Sequence, residues 1–170
     1  MKKLILIVFP LVLLAGCMQH LDIRTSSQSE SEISLPITSV VVRKSDRKLY
    51  LMNGQNVVRS YRIGLGFSPN GHKTAKGDGK TPEGTYRIDR KNPQSKFHLS
   101  LGISYPNATD RARSKSLGVD PGGDIFIHGE DTKPHFWKRN WTQGCISLKN
   151  EQIEEVYALV RIGTPVLIQP

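Results

Sequence analysis

Cys145 and His128 are the residues whose types and surroundings best suit covalent chemistry. Cys145 directly follows Gly144, and a glycine there lets the backbone turn sharply and leaves neighbouring amides available to stabilise an oxyanion. His128 is followed by Gly129 at the end of an apolar run, where a side chain meets a loop. A thiol needs such an imidazole as a base, because only a few per cent of a free thiol is ionised at neutral pH. The two residues therefore predict a cysteine nucleophile activated by a histidine.

The elements that would position these residues are mainly short strands. β-prone runs occupy residues 40–42, 48–52 and 57–65, and Asn53-Gly54 between the last two is a strong hairpin signal. Repeated glycines and prolines make residues 67–81 a long loop. This first half of the domain is therefore expected to be β-rich.

Further strands lead to the candidate site. A turn at 81–84 precedes a strand at 85–89, and residues 97–104 alternate apolar and polar side chains, which predicts a half-buried strand. Residues 108–117 predict a short polar helix that Gly118 ends. The strand 124–128 then carries the candidate base.

One longer helix follows the candidate nucleophile. Asn150 is its expected cap and Gly163 its expected stop. Its apolar face consists of Ile153, Val156, Tyr157 and Val160. Residues 165–169 predict a closing strand. We therefore expect one mainly β domain with α (α+β), mostly antiparallel, with one main C-terminal helix.

The N-terminus predicts export and lipid anchoring. Met1-Lys2-Lys3 and the apolar run 4–14 are typical of a secretory signal, and the run is too short to span a bilayer. Leu14-Ala15-Gly16-Cys17 resembles the lipobox of bacterial lipoproteins. We therefore expect a signal peptide at 1–16, a lipidated Cys17 and a flexible Ser/Gln/Glu-rich tether at 17–35 before a domain at 36–170. Met18, which is not Asp, favours the outer membrane of the envelope, on its periplasmic side.

The two cysteines and the charge limit other functions. With Cys17 lipidated, Cys145 has no disulfide partner, so it is either a nucleophile or a buried hydrophobic side chain. A structural zinc site would need further cysteines, which the chain does not have, although a three-ligand site with His135 or His72 is an open alternative.

The net charge of +9 falls to +7 without Lys2 and Lys3. This surplus favours polyanions, and in an exported protein these are peptidoglycan stems and anionic lipids, not nucleic acid. A merely soluble basic surface fits as well.

The motifs together resemble the L,D-transpeptidase (YkuD-type) catalytic domain. Ile127-His128-Gly129 and Thr142-Gln143-Gly144-Cys145-Ile146 are similar to its signature, as are Thr81-Pro82-Glu83-Gly84 and Gly163-Thr164-Pro165-Val166. The resemblance covers about residues 38–170. It implies a YkuD-like β-sandwich or open barrel and a peptidoglycan L,D-transpeptidase that acts through an acyl-enzyme thioester.

The resemblance also implies roles for single residues. Cys145 would be the nucleophile and His128 the base, oriented by a backbone carbonyl. Gly144 and the amide of Cys145 would form the oxyanion hole, and Gly129 and Thr142 would shape the site. The substrate is the bond after the L-centre of the third stem residue. No metal or organic cofactor is needed, because the thiol does the covalent work.

Two departures from the family pattern bear on the reaction. Many members have His at the position of Gln143 and Arg at that of Ser147. The segments 97–107 and 141–145 instead resemble a YafK-like subgroup. Some members of that subgroup hydrolyse the bond that joins a lipoprotein to peptidoglycan, so a peptidoglycan-linked lipoprotein is a candidate partner. A hydrolase, either a carboxypeptidase or an amidase, is therefore an alternative to a transferase, and a non-catalytic peptidoglycan-binding lipoprotein is a second.

Other side chains are weaker candidates for substrate binding. His98 would lie on the polar side of its strand, facing either the cleft or solvent. Arg139 lies in the loop between His128 and Cys145, as do Lys133 and Lys138, and a charged loop is either a lid or simply solvated. Trp137 and Trp141 would pack the lid, the cleft wall or the core.

Overall fold

The computed structural model describes residues 35–130 and 139–170. These residues form two helices, α1 (Ala108–Ser116) and α2 (Asn150–Leu159), and ten strands. The strands are β1 (Ser39–Arg43), β2 (Lys48–Asn53), β3 (Asn56–Arg62), β4 (Leu65–Gly66), β5 (Gly84–Ser95), β6 (His98–Ile103), β7 (Phe126–His128), β8 (Asn140–Thr142), β9 (Ile146–Ser147) and β10 (Pro165–Gln169).

Several predictions fall outside the described residues. They are the signal peptide 1–16, the lipidated Cys17, the tether 17–35 except its last residue, and the loop residues Lys133, His135, Trp137 and Lys138. No helix in the described part of the chain is long and apolar enough to cross a membrane.

Eight strands form one sheet in the order β3-β2-β1-β10-β5-β6-β7-β9, and β4 pairs with β8 in a second, two-stranded sheet. The pairs β1–β10, β7–β9 and β4–β8 are parallel and the other neighbours are antiparallel. The large sheet stays open, with a single bridge from Gly64, just after β3, to Ser147 in β9. The prediction of a mainly β, mostly antiparallel fold with helices is confirmed.

The core lies along the faces of the strands that carry alternating apolar residues. In β1, β2 and β10 every second side chain is buried, namely Val40, Val42, Leu49, Leu51, Val166 and Ile168. Ile153 and Val156 of α2 join the same cluster. Each such side chain stabilises the fold by about 1.5–3 kcal/mol through burial. This is the rigid frame on which the candidate site is built.

Three local predictions are wrong. The run 97–104 is not half-buried, because β6 lies between β5 and β7 and packs against α2, so all of Ser100–Ile103 is buried. The run 57–65 is not one strand, since β3 and β4 belong to different sheets. Asn150 is the first residue of α2 and not its cap, which is Lys149. The Asn150 side chain instead accepts a hydrogen bond from the backbone N–H of Glu130 (2.8 Å).

Buried ionic contacts hold the long loop after β4. The ammonium of Lys44, which is 5% exposed, lies 2.6 Å from the carboxylate of Glu83 and donates to the carbonyls of Gly71 (2.6 Å) and Thr81 (3.1 Å). These bonds connect β1 to both ends of the loop. The loop is therefore held in a fixed position although it contains no regular secondary structure.

Candidate active site

The pairing of β7 with β9 places the segments that carry the two predicted residues side by side. Ile127 lies opposite Ile146 and His128 opposite Ser147, and both isoleucines are fully buried. Side chains alternate along a strand, so the side chain of His128 lies on the face of the sheet opposite to that of Ile127. Cys145 immediately precedes β9, and the same register continued by one residue places it beside Phe126.

The thiol of Cys145 is held by the backbone next to β7. The N–H of Phe126 donates to Sγ (3.4 Å), and Sγ lies 3.6 Å from the carbonyl oxygen of Asp124. Burial raises the pKa of the Cys145 thiol and the Asp124 carboxylate raises it further, whereas the Phe126 N–H and the Lys73 ammonium oppose them. The net effect is a raised pKa. A thiol with a raised pKa needs a base to become a nucleophile.

The imidazole of His128 has a defined orientation and tautomer. The residue is 3% exposed, and its Nδ1 lies 2.6 Å from the carbonyl oxygen of Gly129. A carbonyl can only accept, so Nδ1 carries the hydrogen and Nε2 carries the lone pair of the neutral ring. The rings of Phe97 and Trp141 lie at 4.6 Å and 5.6 Å from the imidazole, centroid to centroid. This arrangement suits a base that acts through Nε2.

The turn before the thiol is shaped by Thr142. Its hydroxyl donates to the carbonyl of Cys145 (2.7 Å) and accepts from the N–H of Gly144 (3.2 Å). Gly144 has φ 129°, and a Cβ there would lie 2.5 Å from the carbonyl oxygen of Lys80, so the position requires glycine. No acceptor among the described residues takes the N–H of Cys145. The Cys145 amide is thus available to an oxyanion, while the amide of Gly144 is already used.

Gly129 allows close packing beside the imidazole. A Cβ at this position would lie 2.6 Å from Oδ1 of Asn150 and 2.8 Å from the carbonyl oxygen of Phe97. The N–H of Gly129 donates to the carbonyl of Leu99 (3.2 Å), and its own carbonyl takes the hydrogen of His128. The residue thus fixes the ring without a side chain of its own.

Cys145 opens onto a pocket of about 470 Å³ with walls of both charges. Among the lining residues are Lys73, Lys76, Asp120, Asp124 and Gln143. Lys73 is 3% exposed, and its ammonium is held by Asp78 (2.8 Å) and the carbonyl of Ala75 (2.9 Å). Sequence reasoning missed Lys73, Asp78 and Asp124. The one local signal was Asp78, because a carboxylate in a glycine-rich loop often binds backbone amides.

The weaker candidates fall in different places. Trp141 and Arg139 line a second pocket of about 530 Å³, together with Ser147. His98 is exposed, with Nε2 2.6 Å from a carboxylate oxygen of Glu154 in α2, and it lines neither pocket.

No metal site is built into the described residues. His72 lies 3.2 Å from the carboxylate of Asp110, and its Nδ1 is engaged with the backbone of Glu83. Within residues 35–130 and 139–170, no group of three His, Cys, Asp or Glu side chains is placed to hold a metal ion. His135, the other ligand considered, lies outside the described residues.

Comparison with known proteins adds an independent observation. Residues 37–168 match the L,D-transpeptidase catalytic domain family, YkuD. The chain is 29% identical over 184 residues to YafK of Escherichia coli (strain K12), itself only provisionally named an L,D-transpeptidase, with 100% of this chain and 68% of YafK covered.

Two solved structures are also similar. The helical cell shape determining protein Pgp2 from Campylobacter jejuni is 29% identical with a TM-score of 0.61, over 78% of this chain and 47% of Pgp2. Bd1075 of Bdellovibrio bacteriovorus is 27% identical with a TM-score of 0.56, over 82% of this chain and 49% of Bd1075. The matched region is thus about half of each of these proteins.

Proposed function

Because the chain belongs to the L,D-transpeptidase catalytic domain family, which implies a peptidoglycan-modifying enzyme of the cell envelope, we propose that it is a cysteine-dependent L,D-transpeptidase. The observation that carries this proposal is the hydrogen bond from Phe126 to the thiol of Cys145, which fixes the thiol beside the strand that ends at His128.

The proposed first step is acylation. Nε2 of His128 takes the thiol proton as Sγ attacks the carbonyl carbon of the amide after the L-centre of the third stem residue. The carbonyl oxygen becomes an oxyanion that accepts from the free amide of Cys145, an interaction of the kind that contributes roughly 3–4 kcal/mol to such transition states. The C–N bond then breaks, and His128 returns its proton to the leaving amine. A thioester on Cys145 remains.

The second step transfers the acyl group. An amine of another stem attacks the thioester, His128 takes its proton, and the thiolate leaves and is reprotonated. Water in place of the amine gives hydrolysis. The open, charged pocket at Cys145 favours access of water, so hydrolysis is the second candidate function.

Purified muropeptides separate the two candidates. We expect the full-length chain incubated with disaccharide-tetrapeptides to give dimers joined between two third residues, detected by mass spectrometry. Tripeptide products alone would identify the hydrolase. Unchanged muropeptides, with Cys145 never acylated by them, would indicate a non-catalytic peptidoglycan-binding lipoprotein.

We also propose that the protein is exported and lipidated at Cys17, so that the enzyme faces peptidoglycan from the periplasmic side of the outer membrane. The similarity to Pgp2 supports a role in cell shape. Metabolic labelling with a fatty acid should mark the wild-type chain and not Cys17→Ala. Labelling of both would place the lipid elsewhere.

A further inference from the structure

The second pocket, on the Ser147 side of the candidate site, carries a concentration of positive charge. Its volume is about 530 Å³. Five cationic side chains line it, against the two carboxylates of Asp46 and Glu130, and they are Arg47, Lys48, Arg62, Arg139 and Lys149. Trp141 forms part of its wall, and its ring packs nearly perpendicular to the imidazole of His128, with the ring centroids 5.6 Å apart. The cationic pocket therefore adjoins the residue proposed as the base.

Three of the guanidinium groups have no carboxylate partner in the part of the chain that the structure describes. Among the described residues no carboxylate oxygen lies within 4.0 Å of the nitrogens of Arg47, Arg62 or Arg139. Elsewhere on the described surface, Arg59 and Arg90 both have carboxylates at 2.9 Å. Within the described residues, the pocket thus collects guanidinium charges that no carboxylate pairs with.

The like charges also face each other. Lys48 lies directly opposite Arg62 in the β2–β3 pair, an arrangement that destabilises a sheet. Burial lowers the pKa of Arg47, and the nearby charge of Arg139 lowers it further. These contacts are unfavourable without an anion between the groups.

Resting on the function proposed above, we propose that the cationic pocket binds a free carboxylate of the peptidoglycan stem, with Arg47 and Arg139 as the groups that take it. The guanidinium fork matches a carboxylate with two parallel hydrogen bonds. The Oδ1 of Asn140 accepts from Nη1 of Arg47 and orients the fork. Trp141 offers an apolar surface to the aliphatic chain that carries the carboxylate.

Binding without turnover tests this assignment. The probe is a purified disaccharide-tetrapeptide, titrated calorimetrically into the full-length chain that carries Cys145→Ser. Adding Arg47→Gln or Arg139→Gln should weaken binding by roughly 10–100-fold, the range expected for charged hydrogen bonds. Arg161→Gln is the matched control, because Arg161 is exposed and lies outside this pocket, and it should bind as the parent does.

Two further readouts separate binding from folding. Because each Arg→Gln change relieves repulsion, the thermal midpoint should stay unchanged or rise while affinity falls. A stem whose free carboxylates are amidated should bind weakly to the parent and be insensitive to Arg47→Gln.

Other outcomes overturn the inference. Equal affinity in all variants would make the pocket a solvated basic surface. Displacement of the stem by inorganic pyrophosphate, with no effect of amidation, would identify a phosphate polyanion as the ligand. Arginine-dependent binding by a chain that forms no thioester would reject the proposed chemistry and leave this site standing. Normal thioester formation with arginine-independent binding would reject this site alone.

Discussion

The backbone N–H of Phe126 donates to the Sγ of Cys145 over 3.4 Å, and this contact ties the candidate nucleophile to the strand that carries His128. Its effect is electrostatic as well as positional, since a donor aimed at sulfur favours the thiolate against the burial that disfavours it. The relation depends on the parallel pairing of β7 with β9. The fold thus places the thiol beside the first residue of the strand that ends at His128.

Replacing the thiol by a hydroxyl tests the chemistry without disturbing the packing. Cys145→Ser is expected to lower turnover of muropeptides by about three orders of magnitude or more, because the hydroxyl is a far weaker nucleophile. The thermal midpoint should barely move. Cys17→Ser, which changes the other cysteine, should retain turnover in detergent solution. Near-normal rates for Cys145→Ser would reject covalent catalysis by this residue.

The hydroxyl of Thr142 is expected to matter more than its methyl group. Thr142→Val removes both hydrogen bonds that shape the turn to Cys145, at a cost of about 1–3 kcal/mol, so kcat should fall roughly 10–100-fold. Thr142→Ser keeps the hydroxyl and should restore most of the rate. Steady-state kinetics of the two variants provides the comparison. Equal losses in both would show that the methyl group, and not the hydroxyl, supports the site.

The ionisation of the thiol should respond to Asp124. Its carboxylate adds to burial in raising the pKa of Cys145, so Asp124→Asn should lower that pKa and shift the pH profile of iodoacetamide alkylation to lower pH. The wild-type midpoint should lie above that of a free cysteine. Asp89→Asn is the control, because Asp89 shares the partner Arg90 (3.1 Å). An equal shift in both variants would assign the effect to Arg90.

Asp78 should make the fold sensitive to acid. Burial disfavours its charge, but Lys73 and the amides of Ala75, Lys80 and Thr74 outweigh burial and lower the pKa of Asp78. A carboxyl whose pKa is lower in the folded state contributes stability above its unfolded value of about 3.9 and loses it as the pH falls through the folded value.

Urea unfolding between pH 2 and 6 measures this contribution. The free energy of unfolding of the wild type should fall below about pH 4, and Asp78→Asn should be less stable at pH 6 with a weaker dependence on acid. Asp46→Asn, at an exposed pair with Arg43 (3.8 Å), serves as the control. Parallel curves for wild type and Asp78→Asn would contradict the assignment.

Local patterns predicted most of the fold. Strands with one buried face, such as β1 and β10, show their alternation directly, and the Asn53-Gly54 turn marks the β2–β3 hairpin. The run 97–104 was misjudged because burial of β6 on both faces depends on its place between β5 and β7 and on α2. A local sequence pattern does not show which strands and helices will pack on either side of a strand.

The candidate site could also be predicted only in part from the sequence. Cys145 and His128 are recognisable from their neighbours along the chain, but their segments become adjacent only through the parallel pairing of β7 with β9. Lys73 and Arg47 reach the two pockets from loops, and nothing in their local sequence indicates that position. Electrostatic partners of a site are contributed by tertiary contacts, so the structure is needed to find them.

The most direct test of the central claim is detection of the thioester. The full-length chain is mixed with a disaccharide-tetrapeptide, quenched in acid within seconds, digested and analysed by mass spectrometry. We predict that the peptide containing Cys145 gains the mass of the disaccharide-tripeptide acyl group, and that hydroxylamine removes the addition. Turnover of the substrate with Cys145 unmodified at every quench time would contradict the account.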